Sequence, residues 1–153
     1  SDLRFENIRG NVDTRLRKLR EGLYDAIVLA EAGLIRLGLD VDYQRLPIDN
    51  FVPSANQGII AVQTRIGEED IVRFMNHKET WISAMVERVV MRTLGFGCAI
   101  PAGIYAECKG KVKLIVQVIK DGREYKVVEI LSKKNAIEDA VEIAENIKKE
   151  VGL

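Results

Sequence analysis

The chain has little of what most often builds metal sites and disulfide scaffolds. It holds one histidine and two cysteines in 153 residues. Cys98 and Cys108 do not make a disulfide framework. One histidine with no paired cysteine spacing argues against a zinc site. Net charge is also absent: 23 basic side chains balance 23 acidic ones. There is then no bulk pull towards nucleic acid or membrane, and any anion site must be local. No apolar run approaches the roughly 20 residues of a membrane span. Ser1-Asp2-Leu3-Arg4 carries no apolar signal segment. No Ser-His-Asp triad, phosphate P-loop or dinucleotide fingerprint is present. These absences favour a reduced, cytoplasmic setting without metal, nucleic acid or membrane.

What is present is the composition of a globular protein, 47% hydrophobic and 30% charged. As one compact unit such a chain would bury about 70% of its unfolded surface. Residues 3–8 alternate apolar and polar, the period of a half-buried strand. Asn11 is a good N-cap for a helix carrying Val12, Leu16 and Leu19 on one face, ending at Gly22. Asp25 to Ala30 is a short apolar run of the kind buried in parallel sheets. Ala30 to Gly38 reads as a short helix. Strand, helix, strand, helix is α/β logic. Residues 39–56 are irregular. Ile59 to Val62 reads as a buried strand, followed by helix from Gly67 and a break at Asn76-His77-Lys78. A helix from Glu79 to Leu94 has Ile82, Met85, Val86, Val89, Val90 and Thr93 on its inner side. Strands are expected over 100–107, 111–119 and 124–131, with Asp121-Gly122 as a hairpin turn. Asn135 caps a final helix. The expected architecture is a partial α/β lobe followed by an α+β domain with a three-stranded antiparallel sheet. Residues 1–60 hold too few strands for a doubly wound domain, so Ser1 reads as a cut end.

Two strand-to-helix junctions invite an anionic ligand. In the first, Arg9 precedes a helix start and Arg15 stands about one turn inside it. Free N–H groups at a helix start favour anions, and the arginine fork suits carboxylate or phosphate. Spacing alone leaves open a solvated basic helix, because Arg17, Lys18 and Arg20 lie nearby. In the second, Ala30-Glu31-Ala32-Gly33 offers small residues beside the backbone, and Arg36 follows about a turn and a half later. Glu31 reads either as an acid or base beside the crevice or as a solvated carboxylate. His77 receives no role, Trp81 reads as core, and Cys108 as inert. Leu94-Gly95-Phe96-Gly97-Cys98-Ala99-Ile100-Pro101 sets a thiol on a glycine-flanked loop between helix and strand.

Taken together, Ile8 to Leu16, Tyr24 to Ala30 and Ala32 to Gly38 closely resemble the porphobilinogen deaminase (hydroxymethylbilane synthase) family. Pro53-Ser54-Ala55-Asn56-Gln57-Gly58 is similar to the family's Pro-Ala-x-Gly-Gln-Gly segment. Glu87-Arg88, and Gly97-Cys98 followed by Pro101, resemble its cofactor-loop region. The resemblance implies three domains in the family, two of them like the lobes of periplasmic binding proteins. It places residues 1–55 in the later part of the second domain and 56–77 in a crossover returning to the first. Residues 78–153 would be the third domain, with most of the first domain lying outside this stretch, to be supplied in cis or trans.

The resemblance also implies chemistry: stepwise condensation of four porphobilinogens into hydroxymethylbilane with loss of ammonia, through an electrophilic azafulvene. A dipyrromethane cofactor would be held by a thioether to Cys98. Arg9 and Arg15 would hold cofactor carboxylates, with Ala30 offering backbone contact. Arg36 would meet carboxylates of substrate or growing polypyrrole, and Gln57 would line the cleft. The proton-handling aspartate would lie outside these residues, so the chain alone is expected to be inactive. Departures from the family pattern are Phe96 where a glycine is usual, and Asn56 and Gln63 in the hinge segment. The competing reading is a module that binds a small carboxylate without chemistry, which needs neither Cys98 nor a third domain.

Overall fold

The structure, a computed structural model, describes residues 3–95 and 101–153. The chain divides into two compact units, Ser1–Arg45 and Leu46–Leu153.

The larger unit is built on a three-stranded antiparallel sheet in the order β1-β2-β3. β1 is Ala102–Lys109, β2 Lys111–Lys120 and β3 Arg123–Leu131. Alternation in β2 sets the faces. Val112, Leu114, Val116 and Val118 are buried towards two helices, α3 (Lys78–Leu94) and α4 (Ala136–Val151). Ile104 and Ala106 of β1 join that core, as do Val86, Val90 and Leu94 of α3. α4 contributes Ala136, Ala140, Ala144, Ile147 and Val151, the i, i+4, i+8 stripe that lets a small-residue face approach closely. Both helices end on a left-handed glycine, Gly95 and Gly152. The hairpin between β2 and β3 turns at Asp121-Gly122, both with positive φ, as a two-residue turn of the primed type requires.

The expected C-terminal strands and helices are present, shifted by one or two residues. The buried stripe of α3 is rotated from the expected one: Ser83, Val86, Glu87, Val90 and Leu94 face inwards. Trp81, expected in the core, is half exposed. His77, given no role by the sequence, caps α3. Its Nδ1 accepts from the Thr80 N–H at 3.3 Å and meets Thr80 Oγ1 at 2.8 Å.

The opposite sheet face is covered near β1 by the segment leading out of residue 46. Lys113 pairs with Asp49 at 2.7 Å, and the Lys126 ammonium donates to the Asp49 carbonyl. Gly103 must be glycine here, because a Cβ would lie 2.5 Å from the Val52 carbonyl oxygen. These contacts explain why residues 46–55, expected with the preceding domain, lie in the later compact unit.

The smaller unit contains α1 (Val12–Arg20) and α2 (Glu31–Arg36), with Leu16 and Leu34 as its buried side chains. Residues 3–8, 25–30 and 59–62 form no strand, contrary to expectation. A strand is stable only as part of a ladder, and among the described residues nothing pairs with these segments. Their apolar side chains stay largely exposed, with Phe5 at 86%, Val28 at 64% and Ile60 at 80%. Residues 69–75 form two short 3₁₀ turns in place of the expected helix. No helix among the described residues is long and apolar enough to cross a membrane.

Candidate functional site

The two junctions singled out in the sequence lie in the smaller unit, and the structure brings them together. Val12, the first residue of α1, packs on Gly33 in the first turn of α2. A Cβ at Gly33 would meet Val12 Cγ2 at 3.5 Å. The entry to α1 is held by local bonds. Asn11 Oδ1 accepts from the Thr14 N–H at 2.9 Å, the N-cap geometry worth about 1 kcal/mol. Gly10 has φ 124°, and a Cβ there would lie 2.7 Å from Thr14 Cγ2, so the tight entry needs glycine.

Side chains of α1 then fold back on this entry. Arg15 Nε donates to the Gly10 carbonyl at 2.8 Å, and the Lys18 ammonium donates to the Arg9 carbonyl at 3.0 Å. Arg15 is thereby fixed through Nε, and its terminal nitrogens contact no carboxylate among the described residues. Carboxylate partners separate the arginines of this unit into two groups. Arg4 pairs with Glu6, Arg17 with Glu21 and Arg45 with Glu31. Arg9, Arg15 and Arg36, the three expected to meet a polyanionic ligand, have no carboxylate partner among the described residues; Arg20 has none either. Arg36 is the last residue of α2, exposed.

Glu31 is engaged in a local ion pair. Its carboxylate accepts from the Tyr43 hydroxyl at 2.7 Å and from Arg45 Nε at 3.0 Å. The Arg45 and Tyr43 hydrogen bonds hold its carboxyl below the ordinary glutamate range. A carboxylate so held is a poor proton donor, and it anchors residues 43–45 to α2. Ala30 is the N-cap of α2 without a side-chain cap, leaving the backbone N–H groups of that turn uncapped by a side chain.

Gln57 belongs to the larger unit. It is exposed in a turn closed by its own N–H to the Ser54 carbonyl at 3.1 Å. Cys98, with Phe96 and Gly97, lies outside the described residues. The flanking elements are α3, closed at Gly95, and β1, entered after Pro101. Cys108 is buried in β1, as expected of an inert thiol. Among the described residues no group of acidic, histidine or cysteine side chains could hold a metal ion.

The sequence reading gave no role to Glu87. This carboxyl is 4% exposed, on the core face of α3. Its Oε2 accepts from the Asn56 N–H at 2.6 Å and its Oε1 from the Ala106 N–H at 2.7 Å. Burial pushes the carboxyl above the ordinary range, while the two N–H donors pull it back. Ser83, one turn earlier, accepts from the Cys108 N–H at 3.1 Å. With the Ile104 N–H bonded to the Pro53 carbonyl at 2.8 Å, three successive outward N–H groups of β1, those of Ile104, Ala106 and Cys108, are satisfied. The signal was readable: a glutamate on the i, i+3, i+4 stripe of an otherwise apolar helix face.

Residues 46–58 hold a second unusual point. Asn56 adopts φ 62°, a conformation that asparagine tolerates better than most residues. Its side-chain Oδ1 is buried without a hydrogen-bond partner in the structure.

Comparison with known proteins also divides the chain in two, but at a later point than the compact units. Residues 1–73 match a family model described as porphobilinogen deaminase, dipyromethane cofactor binding domain. Residues 81–151 match one described as porphobilinogen deaminase, C-terminal domain. A probable porphobilinogen deaminase of Archaeoglobus fulgidus is 59% identical over 152 residues, 98% of this chain and 52% of that protein. Proteins of the same description from Methanocella arvoryzae and Methanocaldococcus jannaschii are 48% and 43% identical, over 93% and 94% of this chain. The chain spans about half the length of these relatives, 48% and 52% of the latter two.

Proposed function

The chain belongs to the porphobilinogen deaminase family, and from that membership we propose that it forms the later part of a cytoplasmic transferase of tetrapyrrole biosynthesis. The reaction is condensation of four porphobilinogens into hydroxymethylbilane with release of ammonia. The observation that carries this reading is the consecutive match of both family models, in order, along nearly the whole chain. A carboxylate-binding module without chemistry would not need the C-terminal domain that residues 81–151 match.

The residues present suit a dipyrromethane cofactor, whose pyrroles carry acetate and propionate groups. Among the described residues Arg9 and Arg15 pair with no carboxylate, and the Arg15–Gly10 bond holds that side chain at the entry of α1. Each charge-assisted bond contributes roughly 1.5–3 kcal/mol. Cys98 is the attachment point, and the backbone at Ala30 gives a further contact. When bound, the cofactor supplies the pyrrole carbon on which the product is extended. Arg36 meets the carboxylates of incoming porphobilinogen or of the growing polypyrrole, and Gln57 lines the cleft. Glu31 holds α2 in place through Tyr43 and Arg45 and moves no proton.

Residues 1–55 are the later part of a second domain resembling a periplasmic-binding-protein lobe, in which 3–8 and 25–30 find their ladder partners. Residues 56–77 cross to the first domain. The exposed apolar side chains Ile60, Val62 and Met75 support this: with Ile59 and with Trp81 of α3 they line a groove of about 530 Å³. The proton-handling group belongs to the portion that completes these domains, so the chain alone is inactive.

The test is complementation. The purified chain is incubated with porphobilinogen, alone and with the N-terminal half of a full-length relative. Hydroxymethylbilane is expected only from the mixture, together with a two-pyrrole mass increment on Cys98. Product from the chain alone would refute its inactivity, and a complemented enzyme that turns over with Cys98 unmodified would refute the cofactor assignment.

A further inference from the structure

Glu87 is the only charged side chain buried among the described residues. We propose that it is a positioning residue: its carboxylate locks the turn carrying Gln57 to strand β1, so that Gln57 and β1 are held as one body.

The geometry is that of a bridge. The two carboxylate oxygens serve different segments, Oε2 the Asn56 N–H at 2.6 Å and Oε1 the Ala106 N–H at 2.7 Å. Both distances are those of charge-assisted bonds. Asn56 is the immediate neighbour of Gln57, and Ala106 lies in the middle of β1. Ser83, one turn away on the same helix face, satisfies the β1 edge at Cys108 with a neutral hydroxyl. Capping one edge N–H therefore does not require a charge. Bridging two segments requires two acceptors on one side chain, and only an ionised carboxyl supplies acceptors alone at both oxygens. A buried carboxylate is costly to desolvate, and the bridge is what it provides in return.

The Gln57 turn needs such a lock. Asn56 sits at φ 62° with its Oδ1 buried and unpartnered, so its own side chain does not hold the conformation. The contacts flanking the lock all join the same two segments: the Ile104 N–H to the Pro53 carbonyl at 2.8 Å, and Gly103 against Val52. No residue from Val52 to Asn56 is titratable. β1 contributes Tyr105, whose hydroxyl the Glu87 charge pushes upwards as a minor effect after burial. Arg88, next on α3, is exposed.

The lock stands on these contacts; its relevance to substrate rests on the reading of Gln57 as a cleft residue. Amide exchange and pH titration by NMR on the full 153-residue chain test the lock without substrate. In the wild type the Asn56 and Ala106 amide shifts are expected to titrate with one midpoint, that of the Glu87 carboxyl. Glu87→Gln leaves one acceptor and turns an N–H donor against another. Asn56, Gln57 and Ile104 amides are expected to exchange at least about tenfold faster while Ala144 in α4 stays within about twofold. Wild-type rates at Asn56 and Ile104, a uniform rise that includes Ala144, or separate midpoints for Asn56 and Ala106 would each overturn the proposal. If Glu87→Gln does not fold, the wild-type titration decides alone. Gln57→Ala in the complemented enzyme separates the two readings, since an unchanged KM for porphobilinogen refutes the cleft role of Gln57 and leaves the exchange result untouched.

Discussion

The sheet and helices of residues 78–153 supply each other's partners, whereas the backbone bonds of residues 3–45 close within single turns and only a few side-chain bonds reach further. In the larger unit β2 is flanked on both sides, its apolar face is closed by two helices, and the edge of β1 is capped by Pro53, Glu87 and Ser83. In the smaller unit the helix entry is held locally, by Asn11 to Thr14 and Arg15 to Gly10, and the longer links are single side-chain bonds, Tyr24 to Asn7 and Glu31 to Tyr43 and Arg45. Helix starts form there because their hydrogen bonds close within four residues. Strands do not, because theirs must be met by another segment. The arginines of the candidate site sit on or beside helices that close their own hydrogen bonds, which is why their local geometry is legible.

The contrast is sharpest in the cores. Leu114→Ala, at a fully buried site between β-sheet and helices, is expected to cost about 2–5 kcal/mol in denaturant unfolding followed at α4 amides. Leu16→Ala, in a unit whose buried side chains are Leu16 and Leu34, is expected to cost about 1–2 kcal/mol, followed at α1 amides, because few neighbours lose contact. Equal costs would break the comparison.

A smaller effect concerns local bonding. Asn11→Ala removes the α1 cap and is expected to cost about 1 kcal/mol, read as reduced helical carbon shifts at Thr14 to Leu16. Unchanged shifts would show that packing on α2, and not the cap, holds the helix start.

The smallest effect is a difference of sign. Glu31 is held below the usual 4.5 by Arg45 and Tyr43, so its stabilising contribution is present above the unfolded value and is lost as pH falls through the folded one. Glu87 is raised above 4.5 by burial, so its contribution is full below the unfolded value and is lost as pH rises through the folded one. Carboxyl carbon shifts recorded from acid to neutral pH are expected to give a midpoint below 4.5 for Glu31 and above it for Glu87. A shared midpoint would remove the distinction between an exposed ion pair and a buried bridge.

How much the sequence told depended on where each segment's partner lies. The C-terminal sheet was legible because Val112 to Val118 alternate and their partners follow within twenty residues. The α1 cap was legible for the same local reason. The apolar runs at 25–30 and 59–62 state what those residues would do beside a partner, and among the described residues they have none. The larger compact unit begins ten residues before the expected domain boundary, because Pro53, Glu87 and Asp49 bonds tie 46–56 to the sheet. The family models draw the line later still, since 46–73 matches the cofactor-binding model yet lies in the later compact unit. Glu87 was overlooked because attention to the inner face of α3 was confined to apolar side chains. Of the site, Arg9, Arg15 and Arg36 were legible as candidates, and their freedom from carboxylates needed the structure.

The closed edge of β1 sets how the sheet can meet another sheet. β3 is the more open edge, with no backbone partner on its outer side among the described residues and with Arg123, Glu124, Lys126 and Glu129 along it. Charges on an edge discourage strand addition. Growth of a fibril needs two open edges on every copy, one to receive and one to offer. Two copies meeting β3 to β3 would use up both of these edges, and the three occupied N–H groups of β1 oppose further addition, so edge-to-edge association of this sheet favours a pair over propagation.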